Sequence, residues 1–461
     1  MATTDALATS TTTIRRRVFS LAMPAVGEQL LNTAVGLADV YLVGHLSMET
    51  AKLLGYGSAE AISVTGLANQ MIFLVSTIFM SVAIGSTALI ARAFGGGDRE
   101  QANQVVQQSI VLGIVFGLLS MVGGLIFARP FLRLLDIPPE LLQLGVDFLH
   151  VASISFAPAM LLFVGTACLR GAGDTRTPLW IMLGVNLVNI LICWLLINGR
   201  FGLPAMGIVG AAIGASTGRI LGGIVIIILL LRGMAGLKLN PRLKADFGMI
   251  KRIMNIGIPA AIEQFVFQGA MIIFARFVIN LGTTAYAAHN VAFSIQSVSF
   301  LAGMGYATAV TTLVGQSLGA KRPEDARKST EEALLQCGVI MIVLGAILVS
   351  FPGWFLRLFT LDMNVVAAGH FPLQVAGIIQ LAFALNMIFS GALRGAGDTR
   401  WPLYIKLIST WGVRLPVTML MVGWLGYGLP GIWFAMSLDF TIQGILAAWR
   451  FKSGKWQKIE V

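Results

Sequence analysis

Residues 170–176 read RGAGDTR, and residues 394–400 read RGAGDTR again, at an offset of 224. At the same offset FGGGDREQA (94–102) faces LGAKRPEDA (318–326), and earlier in each half PAVGEQ (24–29) faces PAAIEQ (259–264) at an offset of 235. The change of offset places an insertion of about eleven residues near 45–60. An identity of this length on a fixed spacing marks a duplication, so the chain is expected to be two homologous lobes.

Composition says where such lobes live. Of 461 residues 56% are apolar and only 11% are charged, against roughly 25% charged in a soluble domain. Mean hydropathy is +0.83. A membrane-spanning helix uses about 20 apolar-dominated residues, so the apolar material fills on the order of a dozen spans. So few charges cannot cover a water-exposed surface, which excludes soluble enzymes, nucleic-acid binders and disordered chains. Apolar runs separated by Gly, Pro and charge give twelve segments: 18–43, 61–91, 104–128, 141–168, 178–198, 205–231, 251–280, 284–317, 332–351, 364–392, 402–423 and 430–450. The expected fold class is an all-α membrane protein with 12 transmembrane helices in two pseudo-symmetric six-helix lobes.

The net charge of +11 is distributed as a topology signal. With the N-terminus inside, about 23 Lys and Arg fall on the cytoplasmic side and about 5 outside. The expected organisation is a cytoplasmic N-terminal tail (1–17), a first lobe (18–231), a basic cytoplasmic linker (232–250), a second lobe (251–450) and a cytoplasmic tail (451–461). The opening MATTDALATSTTTIRRR carries no cleavage site after an apolar region and reads as a tail, not a signal peptide. Cys168, Cys193 and Cys337 lie far apart in apolar stretches, so neither a disulfide framework nor a metal site is expected.

Two lobes inserted the same way round make parallel repeats with a cleft that can open to either side, the architecture of a secondary transporter. Ionisable groups inside spans cost about 2.5–3.5 kcal/mol each and need a reason. The first span carries Glu28, Asn32 and Asp39, which fall within about 40° of one another on a helix. The fifth span offers Asn186, Asn189 and Cys193 on one face, and the sixth carries Ser216 and Thr217. A carboxyl in such a pocket can take up and release a proton; a buried acid tied to amides for packing would look the same from sequence. Asp39 is read as the coupling group, with Asn32, Asn186 and Asn189 orienting it.

The second lobe does not copy this chemistry, since Phe274 stands at the position of Asp39. It carries Glu263, Arg276, His289, Lys406 and Arg414 instead. Its cleft candidates are Glu263, Gln264, Arg276, His289, Asn290, Gln296 and Arg414, with Glu263 expected to pair with Arg414 or Lys406. His289 and the Asp439/Gln443 pair read either as proton sites or as hydrogen-bonded structural groups.

Several motifs carry less. Gly315 to Gly319 matches GxSxG without the strand–turn–helix context a nucleophile needs. Gly210, Gly214, Gly218 and Gly222 form a small-residue ridge for helix packing. RGAGDTR reads as architecture: its glycines end one helix, Asp174 or Thr177 caps the next, Pro178 suits a first turn, and its arginines rest at the lipid headgroups. Neither a Walker loop nor HExxH is present, so transport must draw on an ion gradient and the chain is not expected to be an enzyme.

The doubled LRGAGDTR, the PAxxEQ opening each lobe, and AAHN followed by TTLVGQSLGA resemble the multidrug and toxic compound extrusion (MATE) transporters across essentially the whole chain. The resemblance implies a cation-coupled antiporter for amphipathic, often cationic, organic compounds, in a superfamily that also holds lipid-linked oligosaccharide flippases. In the prokaryotic branch it resembles most, the aspartate of an NxxxGLAD segment responds to protons, and Asp39 in NTAVGLAD matches it. That branch follows a helix-5 Asn by an Asp four residues on; Asn189 matches the first, and Cys193 stands for the second. The acids of the other large branch fall at Phe267 and Phe383 here, so coupling in its manner is not expected.

The resulting expectation is an H⁺-coupled drug antiporter of the inner membrane, monomeric, without cofactor, metal or nucleic-acid partner, in which the 27 Phe and 20 Met supply adaptable apolar walls. Three alternatives remain at this point, one of them a membrane-embedded enzyme, for which the sequence holds no recognisable catalytic constellation. A Na⁺-coupled antiporter would use the Asp39 and Asn189 oxygens. A flippase for an anionic lipid-linked precursor would hold a diphosphate on Arg276, Lys406 and Arg414.

Overall fold

A computed structural model describes residues 11–242 and 244–459. The first ten residues of the expected N-terminal tail, linker residue 243 and the last two residues of the C-terminal tail lie outside the described residues. Every regular element among the described residues is helical.

The first half runs α1 (Thr11–Gly44), α2 (Met48–Leu54), α3 (Ser58–Gly95), α4 (Arg99–Leu134), α5 (Pro139–Ile154), α6 (Phe156–Ala172), α7 (Arg176–Leu196) and α8 (Gly207–Leu231). The second runs α9 (Phe247–Ile279), α10 (Thr283–Gly319), α11 (Pro323–Ser350), α12 (Pro352–Arg357), α13 (Met363–Ile378) and α14 (Gln380–Gly395). It ends with α15 (Arg400–Lys406), α16 (Leu415–Thr418) and α17 (Gly428–Lys452). Nine stretches are each long and apolar enough to cross a bilayer, and two bent pairs, α5 with α6 and α13 with α14, bring the number to eleven. With α1 these are the twelve expected segments.

The extra residues of the first half form α2, for which the short α9–α10 connection has no equivalent. Ser47 caps α2 through its hydroxyl and Gly55 ends it at φ +76°. The bends in the fourth and tenth segments measure 48° and 49° and fall at Ser155 and Ile379, again 224 apart. Pro158, one turn into α6, has no N–H for the Ile154 carbonyl, which favours the first break. The second instead follows Gly377, where a Cβ would lie 2.6 Å from the Gly345 carbonyl oxygen.

The chain separates into two compact units, one of residues 27–90 and 98–254, the other of 1–26, 91–97 and 255–461. In the first unit the linker is held down: Asn103 accepts from the Lys238 amide at 2.7 Å, and Gln107 and Gln108 donate to the carbonyls of Arg242 and Lys244. In the second, the end of α3 crosses the end of α10 at backbone contact. A Cβ on Gly95 would lie 1.9 Å from the Gln316 carbonyl oxygen, and one on Gly319 would lie 1.9 Å from that of Arg92. Gly95 and Gly319 are repeat equivalents, as are Arg92 and Gln316, so the crossing is the same contact made twice. Gly315 to Gly319 is therefore the last turn of a helix, the wrong setting for a nucleophile elbow.

Outward faces are apolar. Leu118, Leu119, Ile126 and Phe127 on α4, and Leu335, Val339, Ile342 and Val343 on α11, are exposed. Continuous apolar faces of this length suit lipid, not water. The three cysteines are buried and unpaired with one another.

Candidate functional site

The glycine ridge of α8 builds the site of the first half. Cβ atoms at Gly210, Gly214 and Gly218 would meet Leu196, Cys193 with Asn189, and Val185 of α7 at 2.5–3.0 Å, so the ridge seats α7 directly against α8. That seating holds Asn189 and Cys193 in place, both buried. Asn189 Nδ2 donates to both oxygens of Asp39, at 3.1 and 3.2 Å. Cys193 Sγ donates to Asn189 Oδ1 at 3.1 Å and stands 3.9 Å from Asp39 Oδ1. The thiol fixes the amide with its nitrogen toward the carboxylate.

The other residues expected around Asp39 do not reach it. Asn32 is exposed, although it lies on the same helix face as Asp39, two turns away. Asn186 is buried with Nδ2 unpaired. Thr217 spends its hydroxyl on the Ile213 carbonyl of its own helix, and Ser216 donates to the Val151 carbonyl. Glu28 leaves the stripe altogether: Arg170 Nη1 donates to its two oxygens at 3.0 and 3.1 Å. One residue was missed. Arg219 of α8 lies within electrostatic range of Asp39. An arginine inside a 25-residue apolar helix was the available signal, obscured by the adjoining glycine ridge.

In the second half Glu263 pairs with Arg394, whose Nη2 donates to both its oxygens at 2.8 and 2.9 Å. This corrects the expected pairing with Arg414 or Lys406, and repeats the Arg170–Glu28 pair. The first arginine of each RGAGDTR therefore grips the glutamate of PAxxEQ in its own half and does not rest at the headgroups. The rest of the motif follows expectation in the first copy: Gly173 ends α6 at φ +93° and Asp174 accepts from the amides of Arg176 and Thr177 at the start of α7. In the second copy Asp398 instead takes Arg450 Nε at 2.8 Å.

Arg414 is 1% exposed and pairs with Asp439, fully buried, at 2.6 Å. Its guanidinium packs against the rings of Phe440 (5.1 Å), Phe274 (5.4 Å) and Phe267 (6.0 Å). Gln443 Nε2 donates to Asp439 Oδ1 at 2.8 Å, while its Oε1 accepts from Lys406 Nζ at 2.9 Å and Asn386 Nδ2 at 3.0 Å. Sequence reading named four of these five residues, joined only Asp439 with Gln443, and did not connect the rest. His289 packs among Phe274, Phe293 and Trp433, with Nδ1 unpaired. Gln296 is buried with Oε1 unpaired, Gln264 is half-buried, and Asn290 and Arg276 are exposed. Arg276 sits in the last turn of α9, where it reaches the helix end.

The MatE family profile matches residues 24–195 and 259–420, one copy per half of the chain. The chain belongs to the MATE family. A probable multidrug resistance protein NorM of Thermotoga maritima is 32% identical over 96% of this chain and 94% of its own length. The multidrug resistance protein PmpM of Pseudomonas aeruginosa is 26% identical over 94% of this chain and 90% of its own. Among solved structures, an outward-facing multidrug resistance MATE transporter superposes with a TM-score of 0.87, and a MOP superfamily transporter from Pyrococcus furiosus with 0.86. Each covers 97% of both chains at 20% identity, a likeness of fold. This MATE protein is thus a multi-pass membrane protein of twelve helices in two repeated lobes. Its polar groups sit at different positions in the two repeats: Asp39, Asn189 and Cys193 in one, Lys406, Arg414, Asp439 and Gln443 in the other.

Proposed function

We propose that this MATE protein is a proton-coupled antiporter that exports amphipathic, often cationic, organic compounds by alternating access, with Asp39 as the group that exchanges the proton. The observation that carries the reading is the set of atoms facing the Asp39 carboxylate. The Asn189 amide nitrogen donates to both its oxygens, and the Cys193 sulfur stands 3.9 Å off with its proton on Asn189 Oδ1. A carboxylate met by an amide donor suits exchange of a proton, whereas a Na⁺ ligand set needs converging oxygens. The relatives' designation as multidrug resistance proteins supports the substrate class.

Protonation of Asp39 removes the charge that Asn189 holds and that Arg219 balances, so the α1–α7 contact differs between the two states. A cationic substrate favours the ionised state and a proton displaces it, which is antiport by competition for one charge. The positive-inside distribution supports both termini being cytoplasmic, and the proposal takes the protein to be a monomeric inner-membrane carrier and not an enzyme. The flippase alternative loses its main feature, because Arg414 is committed to Asp439 and Arg276 stands exposed at a helix end.

The test is dye efflux from proteoliposomes under an imposed H⁺ gradient or an imposed Na⁺ gradient, with wild type and Asp39→Asn side by side. Transport driven by H⁺ alone and lost in the variant is expected. Transport driven by Na⁺ alone would overturn the ion assignment, and none under either gradient would overturn the substrate class.

A further inference from the structure

Beyond α15 the eleventh span is wound as a π-helix from Leu407 to Arg414, while its repeat equivalent α7 is an ordinary α-helix. π-Helical turns widen the backbone and recur at functional sites. Lys406 sits at the start of this stretch. Its ammonium donates to Gln443 Oε1 at 2.9 Å and lies 4.7 Å over the ring of Phe267. The orientation of the Gln443 amide is set from its other end, since Asp439 can only accept from Nε2, so Oε1 must face Lys406 and Asn386. On the turn after Lys406, Ser409 and Thr410 are fully buried with hydroxyl oxygens that have no partner.

Two other cations of this lobe's spans have carboxylate partners. Arg414 has Asp439 and Arg394 has Glu263. Among the described residues Lys406 has no carboxylate within ion-pair distance. Its ammonium meets an amide oxygen and an aromatic face, with the Glu263 and Asp439 carboxylates farther off in electrostatic range. The turn that follows carries two buried hydroxyl oxygens without a partner. Neutral oxygens and π-faces hold an alkali cation by the same physics.

We propose that the second lobe contains a monovalent-cation site whose occupant is the chain's own Lys406 ammonium, and that this tethered cation excludes Na⁺ from the lobe. Lys406 is then a specificity-determining residue for the coupling ion. The inference rests on the reading of the chain as a cation-coupled carrier, but its test measures binding, so the two can fail separately.

The experiment is ²²Na⁺ binding to the purified full-length protein, with K⁺ replacing Na⁺ at equal ionic strength. It compares wild type, Asp39→Asn, and the Asp39→Asn protein with Lys406→Ala, Lys406→Ser or Lys406→Arg added. The Ala and Ser proteins are expected to bind Na⁺ at least about tenfold more tightly than Asp39→Asn or the Arg protein, and to lose that binding on further Asp439→Asn substitution. Na⁺ binding by Asp39→Asn with Lys406 intact, or none by the folded Ala and Ser proteins, overturns the proposal. Na⁺ binding by wild type that vanishes in Asp39→Asn overturns the proton assignment instead. Should the Ala and Ser proteins aggregate, recovery of folded protein in added Na⁺ or ethylammonium supports the site, and no recovery overturns it.

Discussion

Arg394 donates from one nitrogen to both carboxylate oxygens of Glu263, and Arg170 makes the same paired contact with Glu28 at the repeat-equivalent place. The two sequence signatures of each half are thus the two ends of one ion pair. One lies midway along the first helix of its half and the other at the end of the fourth span, so nothing in linear spacing relates them.

Removing either partner leaves a poorly solvated charge, whereas removing both leaves none. Glu263→Gln and Arg394→Met should each lower stability by about 2–3 kcal/mol, and the double variant by less than their sum. Thermal unfolding in detergent measures this. The Glu28/Arg170 cycle should give a coupling energy of the same sign and similar size, and strict additivity in both would remove the pairing from the account.

The Asp39 contact makes a sharper demand on function. Asn189→Leu removes the donor to both carboxylate oxygens while keeping the volume, at a cost of about 1.5–3 kcal/mol for hydrogen bonds to a charged group. Proton-driven efflux should fall by at least about tenfold, with less change in substrate binding measured at equilibrium. Cys193→Ser, which still donates to Asn189, should retain most transport, and Cys193→Val should lose more.

The α3–α10 crossing leaves no room for a side chain. Gly95→Ala and Gly319→Ala each put a methyl 1.9 Å from a carbonyl oxygen. Each is expected to cost more than about 2 kcal/mol or to push the two helix ends apart. A spin-label distance between exposed positions flanking the two helix ends would read the separation, and unchanged stability with unchanged distance would contradict the contact.

Asp398, in the loop between α14 and α15, has its carboxyl raised above the ordinary range by burial, which outweighs the lowering by Arg450. A raised acid binds its proton more tightly folded than unfolded, so stability should fall as pH rises from the unfolded value through the folded one. Asp398→Asn should flatten that part of the curve. Melting temperature against pH, from acid to neutral, checks the sign.

Much of this protein was legible in one dimension. Hydropathy and charge placement determined a twelve-segment membrane protein, and the doubled RGAGDTR determined that it was two copies of one plan. Even the insertion near 45–60 was readable, and it became α2. These features are local or periodic: an apolar run, a turn glycine or a repeat offset is written in neighbouring residues. Asp39 and Asn189 were also readable, since polar groups inside apolar runs stand out.

Which polar group meets which was decided only by tertiary structure. Asn32 shares a helix face with Asp39 yet stands exposed, whereas Asn189, 150 residues away, holds both its oxygens. Glu28 looked like a member of the same stripe and belongs to Arg170. Arg414, Lys406, Asp439, Gln443 and Asn386 come from three spans and form one network, of which spacing foretells only the one-turn Asp439–Gln443 link. Helical periodicity assigns a side chain to a face, but the neighbour on that face is set by glycine-governed helix packing and by the bends at Ser155 and Ile379. The duplication gave both halves the same order of spans, and the residues that differ between the repeats, with the packing around them, gave the halves different chemistry.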